Sequence, residues 1–120
     1  MTESNYGYEH LDVWKLSHEL VLKLYKLSEK LPKEENYILK QQLLRAAISV
    51  PANIAEGNGR TSKKEYTQFL SISRGSLNEV NYYLWLSKDL NYIPSDVYAE
   101  LVEMIVRIKQ MINKLIMKLR

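Results

Sequence analysis

A proline inside a helical pattern, followed closely by two glycines, most constrains how this 120-residue chain can fold. Segment 43–60 reads LLRAAISVPANIAEGNGR and separates into two helical strips. The apolar strip consists of Leu44, Ala47, Ile48, Pro51, Ile54 and Ala55, and the polar strip of Gln41, Arg45, Ser49, Asn53 and Glu56. Because an interior proline removes a backbone hydrogen bond at a cost of about 3 kcal/mol, we expect a bend near residues 47–51 and an internal role for the polar strip.

Helical spacing of apolar residues continues along most of the chain, and no alternation typical of strands competes with it. The predicted helices span about residues 11–30, 34–56, 62–90 and 95–119. Gly57 is predicted to end the second helix in a left-handed conformation, Ser62 and Glu65 form a capping box, and Ser95 caps the fourth helix. Short connections make sequential helices antiparallel neighbours. The sequence therefore predicts an all-α, antiparallel up-down four-helix bundle domain at residues 11–120, after a flexible N-terminal arm at residues 1–10.

The third and fourth helices carry more apolar surface than a lone bundle buries. Residues 80–86 read VNYYLWL, which is apolar or aromatic on nearly every side. The fourth helix has three apolar columns, which are Leu101, Ile108 and Leu115; Ile105, Ile112 and Leu119; and Val97, Met104 and Met111. Helices that are apolar all round are usually buried on more than one side, and Tyr, Trp and Met are enriched at interfaces. We therefore expect a homo-oligomer; the alternative is a monomer with half-exposed aromatic residues.

Several function classes lack the residues that they need. The chain has no cysteine and only two histidines, His10 and His18, and no glutamate precedes a histidine by three residues. We therefore expect no disulfide, metal or cofactor. The first ten residues lack an apolar run, and no apolar stretch reaches the length of a membrane span. These features favour a cytoplasmic protein without a membrane partner.

Six polar residues on the second and third helices are predicted to meet across the helix interface. This structural polar cluster comprises Arg45, Ser49, Asn53, Glu56, Ser76 and Glu79. A pair among Glu56, Glu65 and Glu79 could act as general acid and base if a pocket raised one pKa. Structural roles compete with that reading, since Glu65 has a capping task, Glu56 and Arg60 have the spacing of a helix-end ion pair, and Glu79 can meet Arg45 or Asn53. With no catalytic motif in the chain, we expect a structural cluster and no enzyme.

Basic residues collect near the end of the chain and after the second helix. The net charge is only +3, with a pI of about 9.0. The candidate nucleic-acid-binding residues are Arg60, Lys63, Lys64, Arg107, Lys114 and Lys118. The last three share one face of a regular helix, and such a row can follow phosphates without reading the base sequence. The alternative is a solvated face with cations near a helix C-terminus.

Five parts of the sequence resemble one family. They are LDVW at 11–14, RAAISVPANIAEG at 45–57, Arg60 with Ser62, Glu65 with Phe69 and Leu70, and GSLNE at 75–79. Together they resemble the small bacterial four-helix-bundle family named after proteins encoded in 23S rRNA intervening sequences. That family includes the accessory protein of diversity-generating retroelements, a barrel-shaped homopentamer that binds nucleic acid and a reverse transcriptase. The resemblance implies a ring-like homo-oligomer, with a pentamer favoured, and RNA, DNA or a reverse transcriptase as possible partners.

Taken together, these features predict a non-enzymatic, cytoplasmic, oligomeric four-helix-bundle scaffold. Our first hypothesis for its function is a nucleic-acid-associated accessory protein. The second is a protein-interaction module with no nucleic-acid role. A third is an enzyme or small-ligand carrier that uses the polar cluster and requires a concave pocket with convergent polar groups.

Overall fold

A computed structural model describes residues 7–120 and gives an all-α fold over that range. The four α-helices are α1 (Asp12–Ser28), α2 (Leu39–Asn58), α3 (Lys63–Asp89) and α4 (Ser95–Leu119). One-turn 3-10 helices lie at Tyr8–His10 and Lys33–Glu35. Residues 1–6 of the predicted arm lie outside the described residues, whereas the 3-10 helix at Tyr8–His10 packs on α1 and α2.

Contacts between the helices confirm the four-helix bundle. α1 packs on α2 and α4, and α3 packs on α2 and α4, while the diagonal pairs of helices make no contact. Along α3 and α4 the bonded pairs are Arg74 with Asn113, Asn78 with Lys109, and Asn81 with Tyr98. Residue numbers therefore rise on one helix as they fall on the other, which makes these neighbours antiparallel.

Each helix contributes one buried stripe to a shared core. In α4 the buried residues are Leu101, Ile105, Ile108, Ile112 and Ile116, at intervals of three or four. The predicted column of Val97, Met104 and Met111 is only half-buried at the edge of the core. Because a helix in a four-helix bundle faces the core with one side, the other apolar side chains of α4 remain on the surface of the single chain.

The predicted start of the second helix at residue 34 is wrong by five residues. The backbone of Ile38 leaves the helical region, with φ −121° and ψ −91°, so α2 begins only at Leu39. The acidic residues 34 and 35 therefore lie in the connection and not in the first turn of α2. Glu35 instead accepts a hydrogen bond of 2.8 Å from the hydroxyl of Tyr92, which ties the α1–α2 connection to the α3–α4 connection.

This tyrosine–glutamate bond should make stability depend on pH in the alkaline range. The bond to Glu35, with burial and the nearby negative charges of Glu35 and Glu34, raises the pKa of Tyr92 above its ordinary value of 10.0. A raised tyrosine pKa means that the folded state favours the neutral hydroxyl, so the stabilisation is present below pH 10 and is lost as pH rises through the folded pKa. We expect Tyr92→Phe to lower the melting temperature at pH 7 to 9.

The difference in melting temperature between wild type and Tyr92→Phe should then shrink above pH 10. Thermal denaturation followed by circular dichroism from pH 7 to 11 measures it. Tyr37→Phe is the control, because Tyr37 is 87% exposed and its hydroxyl has no hydrogen-bond partner within residues 7–120. A difference that stays constant up to pH 11 would contradict the role assigned to the bond.

The ends of the helices agree with the sequence at one cap and differ at two. The predicted cap at Ser62 is confirmed, since its hydroxyl accepts a hydrogen bond of 3.2 Å from the backbone N–H of Glu65. The predicted Ser95 cap is wrong, because Pro94 occupies the cap position with extended backbone and Ser95 is already helical. The rigid φ of Pro94 suits a residue that immediately precedes a helix.

The sequence pattern predicts that Gly57 ends the second helix, and the structure contradicts this prediction. α2 continues through Gly57 to Asn58, and the cap residue Gly59 has a negative φ of −80°. A Cβ atom at Gly57 would lie 2.9 Å from the Cβ of Phe69 and 3.2 Å from the carbonyl oxygen of Tyr66. The glycine is therefore a packing residue, since only a missing side chain lets α3 approach α2 this closely.

Candidate nucleic-acid interface and polar cluster

The predicted polar cluster lies along the seam between α2 and α3. Arg45 and Glu79 form an ion pair of 3.1 Å across the seam, with side chains 53% and 46% exposed. One turn further along α2, the hydroxyls of Ser49 and Ser76 are 2.9 Å apart. The amide of Asn53 donates to the hydroxyl of Ser49 at 2.9 Å and to its carbonyl oxygen at 2.8 Å. The structure therefore brings these five residues together.

A buried hydrogen bond lies beside the proline of α2. The hydroxyl of Ser73 donates to the carbonyl oxygen of Val50 at 2.8 Å, next to the buried Pro51. Such a bond holds α3 against the backbone of α2 at the point where the proline interrupts the hydrogen-bond ladder. α2 is helical on both sides of Pro51, and the bend near residues 47–51 stays a prediction.

The sixth member of the cluster, Glu56, lies apart from the other carboxylate. It accepts a 2.7 Å hydrogen bond from Arg60, whereas Glu79 pairs with Arg45 eleven residues away along α2. At 1.5 Å per residue this is about 16 Å, which is too far for two carboxylates to act on one substrate bond. Each carboxylate has its own arginine, which is the arrangement of structural ion pairs.

Arg60 is more fully engaged than the sequence suggested. Besides Glu56, its guanidinium lies 3.8 Å from Glu65 and 4.9 Å from the centre of the Phe69 ring. Two carboxylates offset its charge, which leaves little attraction for a phosphate. The neighbouring Lys63 and Lys64 are exposed, and within the described chain neither has an ion-pair partner.

Arg107, Lys114 and Lys118 form a row of exposed cations on α4, which we call the basic row. α4 is regular from Ser95 to Leu119, so the row spans about 16 Å of helix. None of the three pairs with an acid among residues 7–120. Arg107 lines both a groove shared with α1 and a recess beside Tyr98, Val102 and Val106, which places the row on the outward face of α4 between these two depressions.

Two further cations lie where α3 and α4 meet. Lys109 donates to the side-chain oxygen of Asn78 and Arg74 to that of Asn113, both at 2.8 Å. Neither contact is among those predicted from the sequence. The sequence does contain asparagines and basic residues at helical spacing on both helices. Their pairing can be predicted only once the register of α3 against α4 is known.

The two predicted basic groups lie at the same end of the bundle. Lys63 and Lys64 begin α3, and the antiparallel packing of α3 on α4 places this first turn near the C-terminus of α4. The basic row lies on the outward face of α4. The two groups therefore belong to neighbouring helices at one end of the bundle.

Within residues 7–120, none of the helices is both long enough and apolar enough to span a membrane. The same residues contain no group of three or more histidine, cysteine or carboxylate side chains placed to hold a metal ion.

Comparison with known proteins places the chain beside proteins of unknown function. The model of the family described as 23S rRNA-intervening sequence protein matches residues 9–114. A crystal structure of a protein of unknown function from Bacteroides thetaiotaomicron, assigned to the S23 ribosomal protein family, superposes with a TM-score of 0.80 at 25% sequence identity. The match covers 87% of this chain and 97% of that one. No functionally curated protein matches the chain.

Proposed function

This chain belongs to the 23S rRNA-intervening sequence protein family, and from that premise we propose that it is a non-enzymatic, oligomeric scaffold that binds the phosphate backbone of RNA or DNA. The observation that carries the proposal is the basic row. Arg107, Lys114 and Lys118 point the same way, are exposed and lack intramolecular ion pairs. Unpaired cations in a row attract phosphates by releasing counterions, independently of base sequence.

Self-association would strengthen the weak attraction of a single chain. Exposed apolar side chains of α3 and α4 form what we call the aromatic face, made of Tyr82, Trp85, Tyr98, Val102 and Val106. Tyr82 is 58%, Trp85 52% and Val106 46% exposed, and a recess of about 530 Å³ lies beside Tyr98, Val102 and Val106. Exposed apolar surface of this kind commonly marks an interface between proteins.

The aromatic face lies on the α3 side of α4, since Asn81 and Lys88 of α3 contact Tyr98 of α4. Arg107 lines the recess beside the aromatic face as well as the groove beside α1, whereas Lys114 and Lys118 line neither. Assembly through the aromatic face would therefore leave Lys114 and Lys118 free and repeat them in every subunit. Several weak sites in one particle bind a long polyanion far more tightly than one site does.

The arrangement of the carboxylates supports a binding role over catalysis. Glu79 and Glu56 each lie within 3.1 Å of an arginine, and the polar cluster is a seam between two helices rather than a cavity. Following the family resemblance, a reverse transcriptase is the protein partner to test first.

A charge-reversal experiment tests phosphate binding. We expect Lys114→Glu/Lys118→Glu to weaken binding of a fluorescent single-stranded RNA or DNA about tenfold or more at low salt, and to flatten the salt dependence, because each lost phosphate contact lowers its slope by about 1. Lys33→Glu/Lys40→Glu is the control, since it makes the same charge change at the other end of the bundle.

Both variants must keep the mass of the wild-type particle in light scattering. Lys63→Glu/Lys64→Glu then reports whether the second basic group also contacts phosphates. If the basic-row variant binds as well as wild type, or if wild type does not bind even at low salt, nucleic acid is removed as the partner. The protein-interaction module without a nucleic-acid role would then become the better hypothesis.

A further inference from the structure

A groove of about 730 Å³ runs between the first and the last helix of the bundle. α1 and α4 pack against each other less closely than α2 and α3, which are drawn together by small residues. The floor of the groove is apolar and consists of Leu16, Leu27, Val97, Leu101 and Met104. All but Leu101 are only half-buried, so the single chain leaves this part of its core edge in contact with water.

The rims of the groove carry charges of both signs. Lys23, Lys26 and Lys30 line the α1 side together with Glu19 and Glu29, and Glu100 and Glu103 line the α4 side together with Arg107. None of these residues forms an ion pair with another residue of the described chain. The groove therefore presents an α1 rim with an excess of lysine and an α4 rim with an excess of glutamate around an apolar floor.

We propose that this groove binds an amphipathic helix of a partner protein. The apolar stripe of that helix lies on the floor, its acidic edge faces Lys23, Lys26 and Lys30, and its basic edge faces Glu100 and Glu103. This is the helix-in-groove mode of recognition, in which side chains at positions i, i+3 or i+4 and i+7 anchor the helix. The proposal does not depend on phosphate binding by the basic row.

The shape of the groove favours a helix over a small ligand. On α1 the lining extends from Leu16 to Leu27, which corresponds to about 16 Å, or three helical turns. Pockets for small molecules enclose most of the ligand and direct a few polar groups at it, whereas this floor presents only apolar side chains and the groove is open to solvent along its length.

The charges favour a protein helix over nucleic acid. The four glutamates of the lining balance its three lysines and Arg107, so the groove has no excess of positive charge with which to hold a phosphate backbone. Each helix of the chain already buries its main apolar stripe in the bundle core. A helix that lays such a stripe on this floor therefore comes from a partner. Exposed ion pairs add little affinity, so the floor supplies the affinity and the rims set the orientation.

The test uses two designed, fluorescein-labelled helical peptides and the full chain. Both peptides carry leucine at i, i+3 and i+7; in the first, glutamates flank one side of the stripe and lysines the other, and in the second lysines flank both sides, so that reversing the chain direction cannot make it match both rims. Fluorescence anisotropy should show saturable binding of both peptides, with affinities that differ several-fold because one arrangement matches the rims.

Substitutions on one helix separate the floor from the rest of the surface. We expect Met104→Asp to weaken binding at least about tenfold, since it places a charge on the apolar floor. Met117→Asp is the matched control, because it makes the same change on α4 at a side chain that is 69% exposed and lies outside the groove. Both variants are compared only if circular dichroism shows wild-type helicity.

Reversing one rim supplies a second variant that should fold normally. Lys23→Glu/Lys26→Glu changes exposed residues only, and it should invert the preference between the two peptides. Lys114→Glu/Lys118→Glu should bind both peptides like wild type. Peptide binding therefore tests the groove proposal independently of the phosphate-binding proposal. The proposal is overturned if neither peptide binds, if the rim variant keeps the wild-type preference, or if an oligonucleotide displaces the bound peptide.

Discussion

Gly57→Val should lower the free energy of unfolding by about 2–3 kcal/mol, the upper part of the range for overpacked sites. The first carbon of the new side chain would lie 2.9 Å from both the Cβ of Phe69 and a ring carbon of Tyr66. The ring can turn away, but the carbonyl oxygen of Tyr66, at 3.2 Å, belongs to the backbone of α3. α3 would therefore have to move away from α2 at the end of their shared seam that is nearest the α2–α3 connection.

Gly75→Val is the matched control for this substitution. Gly75 also lies inside a helix, but a Cβ atom there meets nothing within 4 Å. Valine is a better helix former than glycine by a few tenths of a kcal/mol, so we expect a change near zero or slightly stabilising. Urea denaturation of the three proteins, at a concentration where light scattering gives equal particle masses, measures the effect. Equal stability of Gly57→Val and wild type would mean that α3 can shift without loss.

The architecture was predictable because the information for it is local. Helical spacing of apolar residues, the break around Pro32 and the Ser62 cap all act within one or two turns, and the structure has a helix on each side of these signals. Short connections then leave antiparallel neighbours as the packing solution. The core of a single bundle buries only some of the apolar residues of α4. Local sequence patterns do not show which of these residues stay on the surface.

The errors arose where a distant element decides the outcome. Gly57 has the sequence context of a helix terminator, but whether a glycine ends a helix or admits a neighbour depends on α3, which begins six residues later. The start of α2 was misplaced because Glu34 and Glu35 suit a first helical turn. The actual role of Glu35 depends on Tyr92, which lies 57 residues later in the sequence and donates a hydrogen bond to it.

The same distinction between local and distant contacts applies to the candidate site. The Glu56–Arg60 pair has i,i+4 spacing and could be read from the sequence, whereas the contact of Arg45 with Glu79 needed the antiparallel register of α2 and α3. The sequence could not indicate that Arg107 lines both the groove between α1 and α4 and the recess beside Tyr98. That arrangement follows from which helices touch, and helix contacts are a property of the whole fold.

Wild-type protein at micromolar concentration should form a particle of roughly five times the 14.1 kDa chain mass, as expected from the exposed aromatic face and the family resemblance. Trp85→Glu/Val106→Glu should reduce this mass to that of one chain. The two substitutions place a charge on α3 and on α4 at side chains that are 52% and 46% exposed, so the bundle itself should tolerate them. In an assembled particle the same charges would be desolvated without a partner, which strongly opposes association.

Tyr37→Glu/Ile38→Glu is the control for this pair, because it introduces two charges at apolar side chains that are even more exposed, at 87% and 66%, but lie in the α1–α2 connection. It should keep the wild-type mass in light scattering. If the wild-type protein is a monomer, the predicted assembly is wrong and each basic row binds phosphate alone. If the wild-type protein is a dimer or tetramer and the aromatic-face variant is a monomer, the predicted interface is confirmed and the predicted pentamer is wrong. In either case the number of basic rows per particle, and with it the steepness of salt-dependent phosphate binding, should follow the measured mass.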